Sequence, residues 1–311
     1  MVRRIICFGV LGVLAILLMT GTLCIGPVDL DSDMFSTVLW KLRVPRLVAA
    51  VLAGAALSVS GLSLQTLFRN PLAGPFVLGI SNGASFGVAL ALLAGFSFGN
   101  FGVLTAASLG ALAVTAVILW IASKFERNSV LLVAGLLIGY FIDALVSLLI
   151  AGSDAESLRM YISWGMGSFG RLTPSGIWVF AVAVAVGLLL IVLCLRYLNG
   201  ARLGDDFARG LGLSVAVQKK CVLLGASILA AAVTAFCGPV AFIGIAVPHL
   251  TYLLFRTTNH RVLIPGVMLC GADLALLAGL FPTIPLNATL SIVGVPVILW
   301  VLLRSGREGR L

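Results

Sequence analysis

Apolar runs about as long as a bilayer core is thick alternate along this chain with short stretches that gather its lysines, arginines, prolines and glycines. A crossing helix needs about 17 to 25 mostly apolar residues. Runs that qualify lie near 5–25, 47–68, 77–96, 103–121, 130–151, 177–195, 221–237, 240–255, 262–280 and 286–303. The pattern therefore predicts ten membrane-spanning helices. The seventh, eighth and tenth are short, and Gly238–Pro239, Pro248, Pro285 and Pro296 interrupt them, which softens their ends.

Two segments between spans are long enough to be more than turns. The stretch 151–176 contains YISWGMGSFG, in which Tyr161, Trp164 and Phe169 predict an element lying against the membrane surface. The stretch 196–220 contains LGDDFARGLGLSV. There Asp205 and Asp206 suit a helix start, Phe207 and Leu211 share a face at i, i+4, and Gly210 and Gly212 suit a stop. Two readings stand for this stretch: a two-turn helix with an apolar knob, or an ordinary surface turn.

Composition settles the solvent. Of the 311 residues, 61% are hydrophobic and 10% charged, and the mean hydropathy is +1.18. A water-soluble domain carries roughly 25% charged residues, so this chain cannot coat a folded surface that faces water. Backbone groups must all be paired in hydrocarbon, which leaves helical bundles or closed barrels, and long unbroken runs favour helices. The net charge of +9 is spread singly or in pairs between apolar runs, not as a stripe, so it does not indicate nucleic-acid binding. Six cysteines without CxxC or paired histidines indicate packing and not a zinc site. The run after Arg3 and Arg4 is too long for a secretory signal and reads as a retained first span.

Basic residues also set orientation, because loops rich in them stay inside. With the N-terminus inside, 15 of the 20 Lys and Arg fall in inner loops, leaving Lys41, Arg43, Arg46, Arg159 and Arg171 outside. Both termini are then cytoplasmic.

Few residues could carry chemistry. Asp143 in the fifth run and Asp273 in the ninth sit deep in apolar sequence, and His249 follows Pro248. Each is read as either satisfied by neighbouring helices or in contact with a substrate. No Walker A segment, HExxH or Ser–His–Asp order is present, so ATP-driven transport would need another subunit for the nucleotide. Polar and helix-breaking groups concentrate in LQTLFRNPLAGPFVLGISNGASFG, where Asn70–Pro71 and Gly74–Pro75 free backbone and Gln65, Asn82 and Ser85 offer hydrogen bonds. Gly238–Pro239 with Gly244–Ile245 echoes Gly74–Pro75 with Gly79–Ile80, as in transporters built from two repeats. Physics alone reaches a transporter- or channel-like bundle.

From about Arg43 to Arg304, the motifs RVPRLVAAVLAGAALSVSGLSLQTLFRNPLAGPFVLGISNGAS, YISWGMGSFG, LGDDFARGLG, and GPVAFIGIAVPHLTYLLF followed by NHRVLIP resemble the permease subunit of bacterial ATP-binding-cassette importers for iron-siderophore, haem and cobalamin. The resemblance implies a single transmembrane domain over 1–311 in the bacterial inner membrane, with two halves of inverted topology. It implies a homodimer, two cytoplasmic ATPase subunits that bind ATP and Mg, and a periplasmic or lipoprotein substrate-binding protein. It places no cofactor or metal in this chain. It implies ATPase coupling through Leu203, Gly204, Asp205, Asp206, Phe207, Ala208, Leu211 and Gly212, and binding-protein docking through Arg43 and Arg46. Pathway or gating candidates are Gln65, Asn70, Pro71, Asn82, Trp164, Gly238, Pro239, Pro248 and His249.

The cargo expected first is an iron chelate, a ferric siderophore or haem, with cobalamin as the alternative. A membrane-embedded enzyme using Asp143 and Asp273, or an ion-coupled secondary transporter, are readings of another class. The chain departs from the family pattern near its end: Thr283, Ile284, Pro285, Leu286 and Asn287 stand where Glu-Leu-Pro-x-Gly is common. Gly279 replaces an acid, with Asp273 six residues earlier, and Phe281 and Pro282 occupy the place of an outer arginine.

Overall fold

The computed structural model describes residues 2–25, 34–96, 102–125, 127–281 and 284–307, with side chains as far as 300 except at 297. Pro282, Thr283 and Arg310 lie outside the described residues. The helices are α1 Val2–Cys24, α2 Phe35–Val38, α3 Val44–Phe68, α4 Ile80–Leu92, α5 Gly102–Lys124, α6 Asn128–Ala151 and α7 Ala155–Gly165. They continue with α8 Gly176–Leu193, α9 Leu195–Ala201, α10 Asp205–Gly210, α11 Val215–Cys237, α12 Ile243–Phe255, α13 His260–Gly279 and α14 Leu286–Arg307.

Among the described residues, seven helical runs are long and apolar enough to cross a membrane, and the shorter α4, α12 and α14 are also apolar. Together they match the ten expected spans. Among the boundaries that move, three starts have a visible cause. The second span begins upstream, because α2 and a π-helical turn at Leu39–Arg43 run continuously into α3. The third starts at Ile80, after a 3-10 turn over Pro75–Leu78 ends at Gly79 with φ +71°. The seventh starts at Val215, six residues early, and carries Lys219 and Lys220 on its first turns.

Helix α3 is the hub. Every residue from Ala53 through Phe68 is buried, and α13, α11, α12 and α8 all pack on it. Its sequence explains this, since alanine, glycine and serine dominate and short side chains let backbones approach from several sides. At Gly61 a Cβ would run into the Gly244 carbonyl of α12, and at Gly54 into the Gly271 carbonyl of α13. The hydroxyls in this dry hub are satisfied locally: Ser63 and Thr66 donate to the carbonyls of Val59 and Leu62 at 2.7 and 2.9 Å. Ser60 reaches across to the Ala226 carbonyl of α11 at 2.9 Å.

Two related halves are visible in the packing. A Gly–Pro break precedes both α4 and α12, each of 13 residues. Helix α4 then packs on α5 and α6 as α12 packs on α13 and α14. The end of α3 and the start of α11 lie at the same end of the bundle, because Arg69 and Lys219 both pair with Asp205. The leading helices of the two halves therefore run in opposite senses, which is inverted topology.

The surface aromatics differ from expectation. Trp164 and Phe169 are buried in the bundle, and only Tyr161 of the three is partly exposed. Helix α7 is amphipathic and turns Trp164 inward; Asp154 caps it by accepting from the backbone N–H of Glu156 and Ser157, both at 3.0 Å. The Ser157 side chain first, and then these backbone bonds, hold the Asp154 carboxyl below its usual range.

The hub makes one prediction. Gly61→Val forces a branched side chain against backbone that cannot rotate away, and overpacking of this kind costs about 1–3 kcal/mol or more. Detergent-solubilised Gly61→Val should lose most of its monodisperse peak in size-exclusion chromatography, whereas a variant at the open position Gly9 should keep it.

Candidate functional site

The sequence-selected residues fall into three places. At one end of the bundle sits the knob. Helix α10 is six residues long, shorter than the expected two turns. It is entered through Gly204 at φ +124° and left through Gly212 at φ +75°. Ala208 is fully buried under it, whereas Leu203, Phe207 and Leu211 are 71%, 47% and 58% exposed. Three large apolar side chains thus project from a small rigid base.

That base is tied to the hub. Asp205 pairs with Lys219 of α11 at 2.7 Å and with Arg69 at 3.8 Å, and Arg69 Nε donates to the Ala201 carbonyl at 3.0 Å. Asp206 pairs with the neighbouring Arg209 at 2.9 Å on the solvent side. Beside them a buried relay runs from α9 to α3. His260 Nδ1 donates to Asn199 Oδ1 at 2.9 Å, and its Nε2 lies 2.8 Å from the Thr66 hydroxyl, whose single proton is shared between this nitrogen and the Leu62 carbonyl. A neutral imidazole satisfies both partners. Arg69, Asn199 and His260 escaped sequence reasoning because their partners lie 61 to 194 residues away; LQTLFRNPLAG contains Arg69 and NHRVLIP contains His260, but neither run shows what they bind.

The second place is the pair of chain breaks at the hub's flank. Gln65 Nε2 donates to the Ile245 carbonyl of α12 at 3.3 Å. Pro75 and Gly74 lie against Gly244 and Ile245. His249 is buried beside the Pro71 carbonyl, and Asn70 Oδ1 accepts the Leu72 N–H at 2.9 Å to shape the turn. Pro248 stands inside α12. Gln65 and Pro71 of one half are therefore joined to Ile245 and His249 of the other, on the helix that Pro248 interrupts. Asn82 is elsewhere: its amide donates to Asp143 of α6 at 2.8 Å.

The third place is a knot at the opposite end. Arg171 Nη1 donates to the Trp164 carbonyl at 2.9 Å and to the Cys237 carbonyl at 3.4 Å, and Nη2 to the Ser163 carbonyl at 2.5 Å. Burial pulls its guanidinium below the ordinary arginine value. Gly238, at φ +80°, leaves room for that guanidinium, which a Cβ would meet. Asn287 completes the knot: Nδ2 donates to the carbonyls of Pro239 at 2.8 Å and Gly165 at 3.2 Å, and Oδ1 accepts the Ala241 N–H at 3.0 Å. The atypical Thr283–Asn287 segment thus supplies the side chain that pairs the backbone freed at Gly238–Pro239.

The two arginines expected to dock a partner are not equivalent. Arg43 is 7% exposed; it donates to the Leu23 carbonyl at 2.6 Å and the Cys24 carbonyl at 3.2 Å, and lies over the Phe35 ring. It closes the end of α1. Arg46 is partly exposed and donates to the Gly279 carbonyl, and with Arg171, Phe169 and Phe281 it lines an open cleft of about 370 Å³. Nor do the two acids share a site. Asp143 is exposed on α6, which packs on α4 and α5. Asp273 is 5% exposed on α13, and its oxygens meet no donor among the described residues.

A profile of the FecCD transport family matches residues 8–304. The vitamin B12 import system permease protein BtuC of Escherichia coli O6:K15:H31 (strain 536) is 36% identical over 98% of this chain and 96% of that protein. That of Shigella sonnei (strain Ss046) is 35% identical over the same shares. A transporter assigned to the metal-chelate type of ABC transporter, solved in an inward-facing conformation, superposes with a TM-score of 0.87 at 29% identity, covering 96% of this chain and 99% of that one. PsaBC from Streptococcus pneumoniae in complex with Fab shares the fold, with a TM-score of 0.59 at 17% identity over 87% and 93%.

Asn287→Ala should leave the Ala241 N–H and the Pro239 carbonyl unpaired. Each buried polar group so orphaned costs about 1–3 kcal/mol. A clear fall in the thermal midpoint of the detergent-solubilised chain is expected, and Asn287→Gly, which restores the common residue, should fall equally; an unchanged midpoint for both would remove Asn287 from the knot.

Proposed function

This chain belongs to the FecCD transport family as a permease subunit, not an enzyme, and on that premise we propose that it imports a metal chelate across the bacterial inner membrane. A second copy completes the path, a periplasmic or lipoprotein binding protein delivers the cargo, and two cytoplasmic ATPase subunits bind ATP and Mg and drive the cycle. The whole chain, 1–311, acts as one transmembrane unit with both termini in the cytoplasm. Arg3, Arg4, Arg69, Arg202 and Lys219 gathering at the knob end supports that orientation.

The observation that carries the proposal is the knob itself. Leu203, Phe207 and Leu211 are exposed on a helix too short to need them for its own stability, while Asp205, Lys219 and Arg69 lock its base to α3 and α11. Such a surface suits insertion into a groove on a motor subunit. Movement of the motor would then be delivered to the hub through Asp205 and through the Asn199–His260–Thr66 relay. The breaks joining Gln65 and Pro71 to His249 are where the two halves can shift against each other, as broken helices do in repeat-built transporters.

At the other end, the cleft lined by Arg46 and Arg171 is the docking surface we assign to the binding protein. Arg46 alone of the expected pair takes part, acting on capture rate more than on affinity. For cargo, the names of the vitamin B12 import permeases favour cobalamin over the iron chelate expected first. The match to a metal-chelate type transporter is compatible with either.

Reconstitution with the ATPase subunits and binding protein tests this reading. Leu211→Asp should leave membrane insertion intact and cut ATP-dependent uptake at least tenfold while hydrolysis continues, and Phe207→Ala should act in the same direction more weakly. Normal uptake by both variants would count against the knob. Labelled cobalamin should outcompete haem and a ferric siderophore for uptake; preference for either iron compound would reverse the cargo assignment.

A further inference from the structure

Asp143 stands eight residues before the end of α6 at Ala151, about 12 Å along the helix axis. Its neighbours Tyr140, Phe141 and Leu137 are apolar or aromatic and exposed, and Asp143 is exposed with them. Among the described residues no lysine or arginine pairs with it. An ionised carboxylate on a lipid-facing surface at this depth is costly, so acids within spans face water-filled cavities or partner groups. The face of α6 that carries Asp143 is therefore not a lipid face.

The surroundings of Asp143 are built and polar. Asn82 of α4 donates its amide to Asp143 Oδ1 at 2.8 Å, and Asn82 lies over Gly139, whose missing side chain leaves it room at 3.5 Å. Ser147 donates to the Asp143 backbone carbonyl at 2.8 Å. Tyr161 of α7 lies beside Ser85 of α4 and within reach of the Asp143 charge; burial first, and then that charge, push its phenol up. Asn82 of α4 thus bonds the mid-span carboxylate directly, and Tyr161 of α7 lies near enough to feel its charge. Asn82 takes one of about four lone-pair positions on a carboxylate, so acceptor capacity remains.

We propose that Asp143, oriented by Asn82, forms an acceptor wall of the translocation path that reads N–H donors on the cargo. It favours a neutral chelate rimmed by carboxamides over one bearing carboxylates. This inference rests on the permease reading above and adds the cargo chemistry. A carboxamide N–H meets a charged acceptor, which roughly doubles the strength of a neutral hydrogen bond. A cargo carboxylate at the same place meets a like charge and is repelled. Cobalamin has the favoured rim, and haem, with two propionates, has the disfavoured one.

The test uses the complete transporter in vesicles, with cobalamin and a cobalamin derivative in which one carboxamide is hydrolysed to a carboxylate. The unaltered complex should import cobalamin at least tenfold faster than the carboxylate derivative, equivalent to about 1.4 kcal/mol. Asp143→Asn should shrink that ratio to about threefold or less, Asn82→Leu should shrink it partially, and Asp143→Glu should retain most of it. A merely structural role would slow both ligands equally and leave the ratio intact, and that result overturns the inference while leaving the permease reading standing. If the unaltered complex imports neither ligand, the cobalamin reading falls and takes this inference with it.

Discussion

Backbone-on-backbone contact at Gly61 and Gly244 is the constraint from which the rest of the structure follows. In hydrocarbon no hydrophobic force draws helices together, so association depends on close packing and on hydrogen bonds between them. Helix α3 meets both requirements with small residues, approaching α12 at Gly61 and α13 at Gly54. Its position in turn sets the places where function resides. Its C-terminal end presents Thr66 and Arg69 to the knob, its last turns present Gln65 to the break before α12, and its N-terminal end presents Arg46 to the cleft at the other end of the bundle.

The two ends of the molecule are built on different physics. The knob end is held by ion pairs and a relay of hydrogen bonds between side chains, Asp205 with Lys219 and Asn199 with His260 and Thr66. The knot at the opposite end is held almost wholly by side chains binding backbone carbonyls, from Arg171 and Asn287 to residues 163–165, 237 and 239. Side chain to carbonyl bonds pair the backbone that glycine and proline release, which a bilayer would otherwise penalise. A break in the helix can therefore persist at Gly238–Pro239 without loss of the fold.

Much of this was legible in the sequence. Apolar runs and charge alternation gave the ten spans, and the Asp205–Gly212 stretch offered, as one of two readings, a helix with exposed Phe207 and Leu211. What sequence could not give was direction. Arg43 and Arg46 are three residues apart, less than one helical turn, yet one points into the end of α1 and the other toward the cleft it lines with Arg171, and no local pattern separates them. Trp164 looked interfacial because its neighbours are aromatic and glycine-rich; the Arg171 guanidinium on its carbonyl, seven residues on, belongs to the knot that turns it inward. Asn287 read as a departure from a pattern, and only its contact with Pro239, 48 residues away, shows what it supplies. Helix α11 begins early because Lys219 has a partner in Asp205, so the basic residues extend the helix where composition suggested a loop.

The central claim is that the knob from Leu203 to Leu211 lies on the cytoplasmic side, where a motor can reach it. Ser214, exposed just beyond the knob, can be replaced by cysteine and treated with a membrane-impermeant maleimide in sealed vesicles of both orientations, against the background labelling of the unaltered chain. The account predicts added labelling in inside-out vesicles alone. Added labelling in right-side-out vesicles alone would contradict it.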